Sequence, residues 1–186
     1  MSNTTLLHEL IALSANSSPG TIALSHGGNL ISYGELLDEV TRFSSGLMHL
    51  GIQRGERVAI YLEKRFETVI ASFGATAAGG VFVPLNPLLK AEQVGYILRD
   101  CNVRVLVTSP ERLALLQETL PACRDLRHVV VLDSAEPLPT IDGLNLCRWR
   151  DLLAAPAMPG HRVIDTDVVG IRYTSGSTGK PKGVVL

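Results

Sequence analysis

At 186 residues and 46% hydrophobic content, the chain can bury one substantial core, and a net charge of -1 gives no electrostatic reason to bind nucleic acid or an anionic membrane. Aromatic residues are only 5%, which argues against a base-stacking surface. Cys101, Cys123 and Cys147 are an odd set without C-x-x-C spacing, so neither a disulfide framework nor a metal knuckle is implied. They read as reduced, mostly buried thiols of a cytoplasmic protein. No basic stretch precedes an apolar run at the N-terminus, so no signal peptide is expected.

In chain order, Leu6 to Ala15 reads as a short amphipathic helix, and Ile22–Ser25 and Leu30–Ser32 flank His26-Gly-Gly-Asn29 as a hairpin. Ser32 with Glu35 three residues on forms a capping box. Leu36, Leu37, Val40, Phe43, Leu47 and Leu50 then keep to one helical face until Gly51 stops the helix. From Arg57 the pattern alternates: strand 57–61, helix 65–78, strand 81–84, helix 90–100, strand 104–108, helix 110–120 and strand 128–132. Such alternation predicts an α/β fold with a largely parallel sheet, right-handed crossovers and flanking helices. Ser109-Pro110 is a cap and first-turn pair. Residues 137–143 and 156–165 read as connecting loops, and Val168 to Tyr173 as a further strand.

Several stretches imitate functional motifs. Thr68 to Leu89 carries no charge and is long enough for a membrane span, but Gly74, Gly79, Gly80, Pro84, Asn86 and Pro87 break it into helix, strand and loop. Gly74-Ala-Thr-Ala-Ala-Gly79 has the glycine spacing of a phosphate loop, yet Gly80 stands where lysine is needed, so close helix packing and a C-cap explain it. His8-Glu9 begins like a zinc-binding helix, but Ala12 replaces the second histidine. His26, His49, His128 and His161 are scattered and read as surface or packing residues. Arg54, Arg57, Lys64 and Arg65 interleave with Glu56, Glu63 and Glu67, which predicts a solvated, salt-bridged face.

The most informative stretch is Tyr173-Thr-Ser-Gly-Ser-Thr-Gly-Lys-Pro-Lys-Gly-Val-Val-Leu186. Thr174, Ser175, Ser177 and Thr178 supply hydroxyl donors, Gly176 and Gly179 can turn backbone N–H groups toward an anion, and Lys180 and Lys182 add positive charge. The loop is not of the Walker type, because Thr174 stands at its first glycine and Pro181 follows Lys180. Gly183-Val-Val-Leu186 reads as β, so the loop joins strand to strand. A Gly/Ser-rich surface hairpin is the plainer reading of the same residues.

Ile171 through Lys182 resemble, at every position, the signature of the AMP-forming adenylating enzymes: acyl-CoA synthetases, peptide-synthetase adenylation domains and luciferases. Ile31-Ser-Tyr-Gly-Glu-Leu36, Gly55-Glu-Arg-Val-Ala-Ile60 and Ala77 to Pro87 resemble three further elements of that family, so the resemblance spans residues 30–186. Leu62 to Glu67 and Leu89 to Gln93 resemble the branch associated with bacterial exosortase and exopolysaccharide loci.

The resemblance implies the N-terminal subdomain of such a ligase's large domain, with residues 1–165 as an α/β subdomain and 166–186 as strand, phosphate-binding loop and the start of the next strand. It implies a reaction in which a carboxylic acid, fatty or other acyl, attacks the α-phosphate of MgATP to give an acyl-adenylate, after which CoA displaces AMP. A carrier-protein acceptor, as in peptide synthetases, is the alternative within the class, and a non-catalytic phosphate-binding module the alternative outside it. Thr174, Ser175, Ser177 and Thr178 are implied hydroxyl donors to ATP phosphates, Gly176 and Gly179 the hinges, and Lys182 the main cation. Lys180 fills a position that the family leaves free. The family's adenine, ribose and catalytic lysine elements all lie beyond Leu186, so the chain is expected to be part of a larger ligase, truncated after the loop and inactive alone, with no catalytic residue or metal ligand of its own.

Overall fold

A computed structural model describes residues 6–132, 137–174 and 181–186. Helix α1 (Glu9–Ser17) leads into an antiparallel pair, β1 (Ile22–His26) and β2 (Asn29–Ser32). Gly27 and Gly28 turn between them at φ +57° and +81°, the left-handed values that a two-residue hairpin turn requires at both positions. The next helix, α2 (Tyr33–His49), begins where expected. Ser32 Oγ accepts from Glu35 N at 3.3 Å, and Glu35 Oε2 accepts from Ser32 N at 2.8 Å, so the capping box is closed in both directions. Gly51 at φ +79° ends the helix.

Strands β3 (Arg57–Tyr61), β4 (Val81–Pro84), β5 (Val103–Thr108), β6 (His128–Val131) and β7 (Asn145–Arg148) form a parallel sheet in the order β4-β3-β5-β6-β7. Between them run α3 (Phe66–Ala77), α4 (Ala91–Asp100), α5 (Pro110–Leu116) and a 3-10 turn at Leu120–Ala122, and α6 (Trp149–Leu153) follows β7 directly. Alternate strand residues enter two separate cores. Val58, Ile60, Val105, Val107 and Val130 pack with Phe43, Leu47, Ile70 and Trp149 of α2, α3 and α6. Ala59, Tyr61, Leu106, Val129 and Val131 pack with Val94, Ile97, Leu113 and Leu116 of α4 and α5. Both faces of the sheet are therefore covered, which is why its strands read as nearly continuous apolar runs.

Helix α5 is shorter than the expected 110–120, its last turn giving way to the 3-10 segment; Ser109 Oγ caps it by accepting from Arg112 N, with Pro110 in the first turn. Strand β7 and α6 leave no signature in the sequence, because four residues and five residues are too few to show a period. Gly74 lies against Phe43, where an added Cβ would stand 2.6 Å from Cδ1, and Gly79 past the end of α3 has φ +87°. The glycine spacing in α3 thus serves packing and capping, as expected.

The acid–base cluster near β3 is salt-bridged, but mostly to distant residues. Arg54 pairs with Asp167 at 2.7 Å, Glu56 with Arg104 at 2.8 Å and Glu63 with Arg112 at 2.9 Å, while Arg65 meets Glu67 locally at 2.8 Å. Arg57 instead donates to the carbonyls of Cys101 and Asn102. Two histidines tie the 156–161 segment to the body: His49 Nε2 lies 3.0 Å from Pro156 O, and His161 Nε2 lies 2.8 Å from Ile52 O. Cys101 and Cys123 are buried free thiols; Cys147 is half-buried and burial pushes its thiol up to about 11. Among the described residues, no helix is long and apolar enough to cross a membrane.

Candidate phosphate-binding site

The last element is an antiparallel pair, β8 (Ile171–Thr174) and β9 (Lys182–Val185). Among the described residues, one isolated bridge joins its backbone to the large sheet. Phe82 of β4 bridges Gly170 in parallel, with Phe82 N donating to Val169 O at 3.1 Å. Gly170 has no side chain because a Cβ there would stand 2.9 Å from the Phe82 ring. The chain continues from this bridge through β8, out along the direction of the parallel strands.

In the hairpin register Ile171 faces Val185, Arg172 faces Val184, Tyr173 faces Gly183 and Thr174 faces Lys182. The expectation that the loop joins strand to strand is met, although β8 begins at Ile171 instead of Val168. Thr174 and Lys182, two of the expected phosphate contacts, stand as a cross-strand pair, so one hydroxyl and one ammonium are held at the same end of the hairpin. Both are exposed. The other expected site residues, Ser175, Gly176, Ser177, Thr178, Gly179 and Lys180, lie outside the described residues.

Beside this end opens a cavity of about 380 Å³ between the hairpin and α4, lined among others by Pro84, Asn86, Gln93, Tyr173, Thr174 and Pro181. It lies at the carboxyl end of β4, the end of parallel strands at which ligands of open α/β sheets are bound. Its far wall is the loop between β4 and α4, which long-range hydrogen bonds hold in place. Tyr61 Oη donates to Leu89 O at 2.7 Å and Arg112 Nη1 donates to Pro87 O at 2.6 Å, while the Arg112 guanidinium lies 4.7 Å from the Tyr61 ring centroid. Within the loop, Asn86 Oδ1 accepts from Leu88 N at 2.9 Å and Gln93 Oε1 accepts from Lys90 N at 3.0 Å. No local sequence signal marks Tyr61 or Arg112, since each reaches the loop across more than twenty residues.

Tyr173 closes the cavity on the hairpin side, and its Oη donates to Asp100 Oδ2 at 2.6 Å. Burial, and then that carboxylate, push the phenol far above its ordinary range, so it stays protonated as a donor.

The parallel sheet, covered on both faces, thus carries at its carboxyl end an antiparallel hairpin that presents Thr174 and Lys182. The chain belongs to the AMP-binding enzyme family, whose profile matches residues 11–186. It is 35% identical over 171 residues to a 4-hydroxybenzoate–CoA/benzoate–CoA ligase of Rhodopseudomonas palustris, covering 92% of this chain and 31% of that protein. It is 32% identical to a crotonobetaine/carnitine–CoA ligase of Escherichia coli, covering 94% of this chain and 33% of that one. Bacitracin synthase 1 of Bacillus licheniformis is 31% identical, over 97% of this chain and 3% of its own length. Among solved structures, an anthranilate–CoA ligase in complex with anthranoyl-AMP superposes with a TM-score of 0.80 at 27% identity, over 96% of this chain and 34% of that one. The chain thus spans about a third of the length of the CoA ligases it matches and a few per cent of the peptide synthetase.

Proposed function

We propose that this chain is the N-terminal portion of an AMP-forming acyl-CoA synthetase, with residues 1–165 as its first α/β subdomain and 166–186 opening the next. The protein activates a carboxylic acid with MgATP as an acyl-adenylate and passes the acyl group to CoA in the cytoplasm. The observation that carries the reading is the pairing of Thr174 with Lys182 at the two ends of a hydroxyl- and glycine-rich segment beside a cavity.

As the bond between α- and β-phosphates breaks, negative charge grows on the departing pyrophosphate. Donors already in place favour that charge over the ground state, because they need no reorganisation when it appears. Lys182 is the main cation in this reading. Thr174, Ser175, Ser177 and Thr178 donate hydroxyls, Gly176 and Gly179 let backbone N–H groups face the phosphates, and Lys180 adds positive charge. Mg2+ arrives with ATP, and no residue of this chain is assigned as its ligand.

The likeness to peptide synthetases supports a second reading, in which the acceptor thiol belongs to a carrier protein. Pyrophosphate exchange by the complete polypeptide against a panel of aryl, short-chain and long-chain acids tests the first step. Subsequent thioester formation with free CoA or with a carrier protein separates the two acceptors. Exchange stimulated by no acid would refute the ligase reading. Residues 1–186 alone are expected to bind MgATP weakly and to exchange no pyrophosphate.

A further inference from the structure

Asp100 is the last residue of α4, at the helix end where the backbone dipole is negative and a carboxylate is disfavoured. Its placement is explained by what it holds. Oδ2 accepts from Tyr173 Oη at 2.6 Å, and the same carboxylate raises Tyr96 on the preceding turn, after burial. The bond joins residues 73 apart, from α4 to the strand that enters the phosphate-binding segment.

Tyr173 touches both stems of that segment. It precedes Thr174 in β8, and its ring lies across Gly183 of β9, where an added Cβ would be 3.2 Å from Cζ and 3.4 Å from Oη. Gly183 follows Lys182 directly, so the ring borders the backbone of both members of the Thr174–Lys182 pair. Among the described residues the hairpin also meets the body through the Phe82–Gly170 bridge and through Ile171 and Tyr173, which pack against the core between the sheet and α4. The Tyr173–Asp100 bond lies nearer the Thr174–Lys182 end than that bridge, so it is placed to fix the position of this end.

We propose that Tyr173 and Asp100 are a positioning pair for the phosphate-binding segment: the phenol-to-carboxylate bond fixes where Thr174 and Lys182 stand relative to α4 and the cavity. Neither residue touches phosphate; they act through the two that do. The proposal rests on the ligase reading above. Displacement of donors by a fraction of an ångström is enough to lose much of a preorganised site's effect on rate.

The test is made in the complete polypeptide with Y173F, D100A, D100N and the double variant Y173F/D100A. Acid-dependent pyrophosphate exchange is followed alongside thioester formation from supplied acyl-adenylate. Y173F and D100A are each expected to lower kcat/KM for MgATP in exchange by about tenfold, the scale on which misplaced donors act, and to leave the second half-reaction within about twofold of wild type. D100N keeps an acceptor for the phenol and recovers most of the loss. The double variant is no worse than the poorer single one, because the two changes break one bond. Asp100 is exposed, so D100A decides the matter if Y173F does not fold. An active wild type with Y173F and D100A unchanged in exchange, or with equal losses in both half-reactions, overturns the pairing while leaving the ligase reading intact. A wild type that exchanges no pyrophosphate removes both.

Discussion

Gly74→Ala separates a packing glycine from a phosphate-loop glycine, because the structure gives the two roles opposite consequences. In α3 the substitution removes a flexible residue from a helix interior, a gain of about 1 kcal/mol in helix propensity. Against this, the new Cβ stands 2.6 Å from Phe43 Cδ1 and 3.2 Å from its Cβ and Cγ, well inside the roughly 3.5 Å of a carbon–carbon contact. Phe43 is fully buried and lies 4.8 Å from the Trp149 ring, so it has nowhere to retreat. Overpacking of that kind costs about 1–3 kcal/mol, and a pinned aromatic belongs at the upper end. The net expectation is a loss of about 2 kcal/mol, or roughly 4–8 °C in melting midpoint for a domain of this size. Circular dichroism melts of wild type, G74A, F43L and the double variant give both the loss and the coupling between the two positions. A G74A midpoint at or above wild type, or strict additivity with F43L, would show that the helices do not meet as described.

Two further expectations concern stability. Ser32→Ala removes the acceptor for Glu35 N at the start of α2, and should cost about 1 kcal/mol in denaturant unfolding, with the slope unchanged; no change in midpoint would mean that the cap contributes nothing. Burial, and then the Arg127 charge, lower the proton affinity of His128, and burial lowers that of His8, both from the ordinary value of 6.5. The unfolded chain therefore binds protons first, so these groups' contribution is present above pH 6.5 and is lost as pH falls through their lower folded values. His128→Gln should flatten the fall in melting midpoint on the acid side of pH 6.5, and an equally steep fall would contradict that assignment.

Much of this organisation is legible in the residues, for reasons that differ from element to element. Helix α2 announces itself because a capping box, a 3.6-residue apolar period and a terminal glycine agree over seventeen residues. Strands β3 to β6 are recognisable from apolar runs separated by helix-length polar-faced stretches. Strand β7 and α6 escape because Arg148 ends one and Trp149 starts the other, with no turn residue to mark the change. At the candidate site the hairpin ends can be read from the motif, since the glycines, hydroxyls and lysines lie together in sequence. Its supports cannot: Tyr61 to Leu89, Arg112 to Pro87 and Tyr173 to Asp100 are contacts made only when distant elements pack. A local motif names the candidate groups, and tertiary structure alone shows what holds them in place.

Binding of the ATP phosphates at the proposed Thr174–Lys182 hairpin end is tested most directly by acid-dependent ATP–pyrophosphate exchange in the complete polypeptide carrying K182A, measured beside thioester formation from supplied acyl-adenylate. Loss of a preorganised charged donor predicts a fall of about 10²–10³ in exchange with the second half-reaction largely retained. Exchange at the wild-type rate in K182A, or equal losses in both half-reactions, would contradict it.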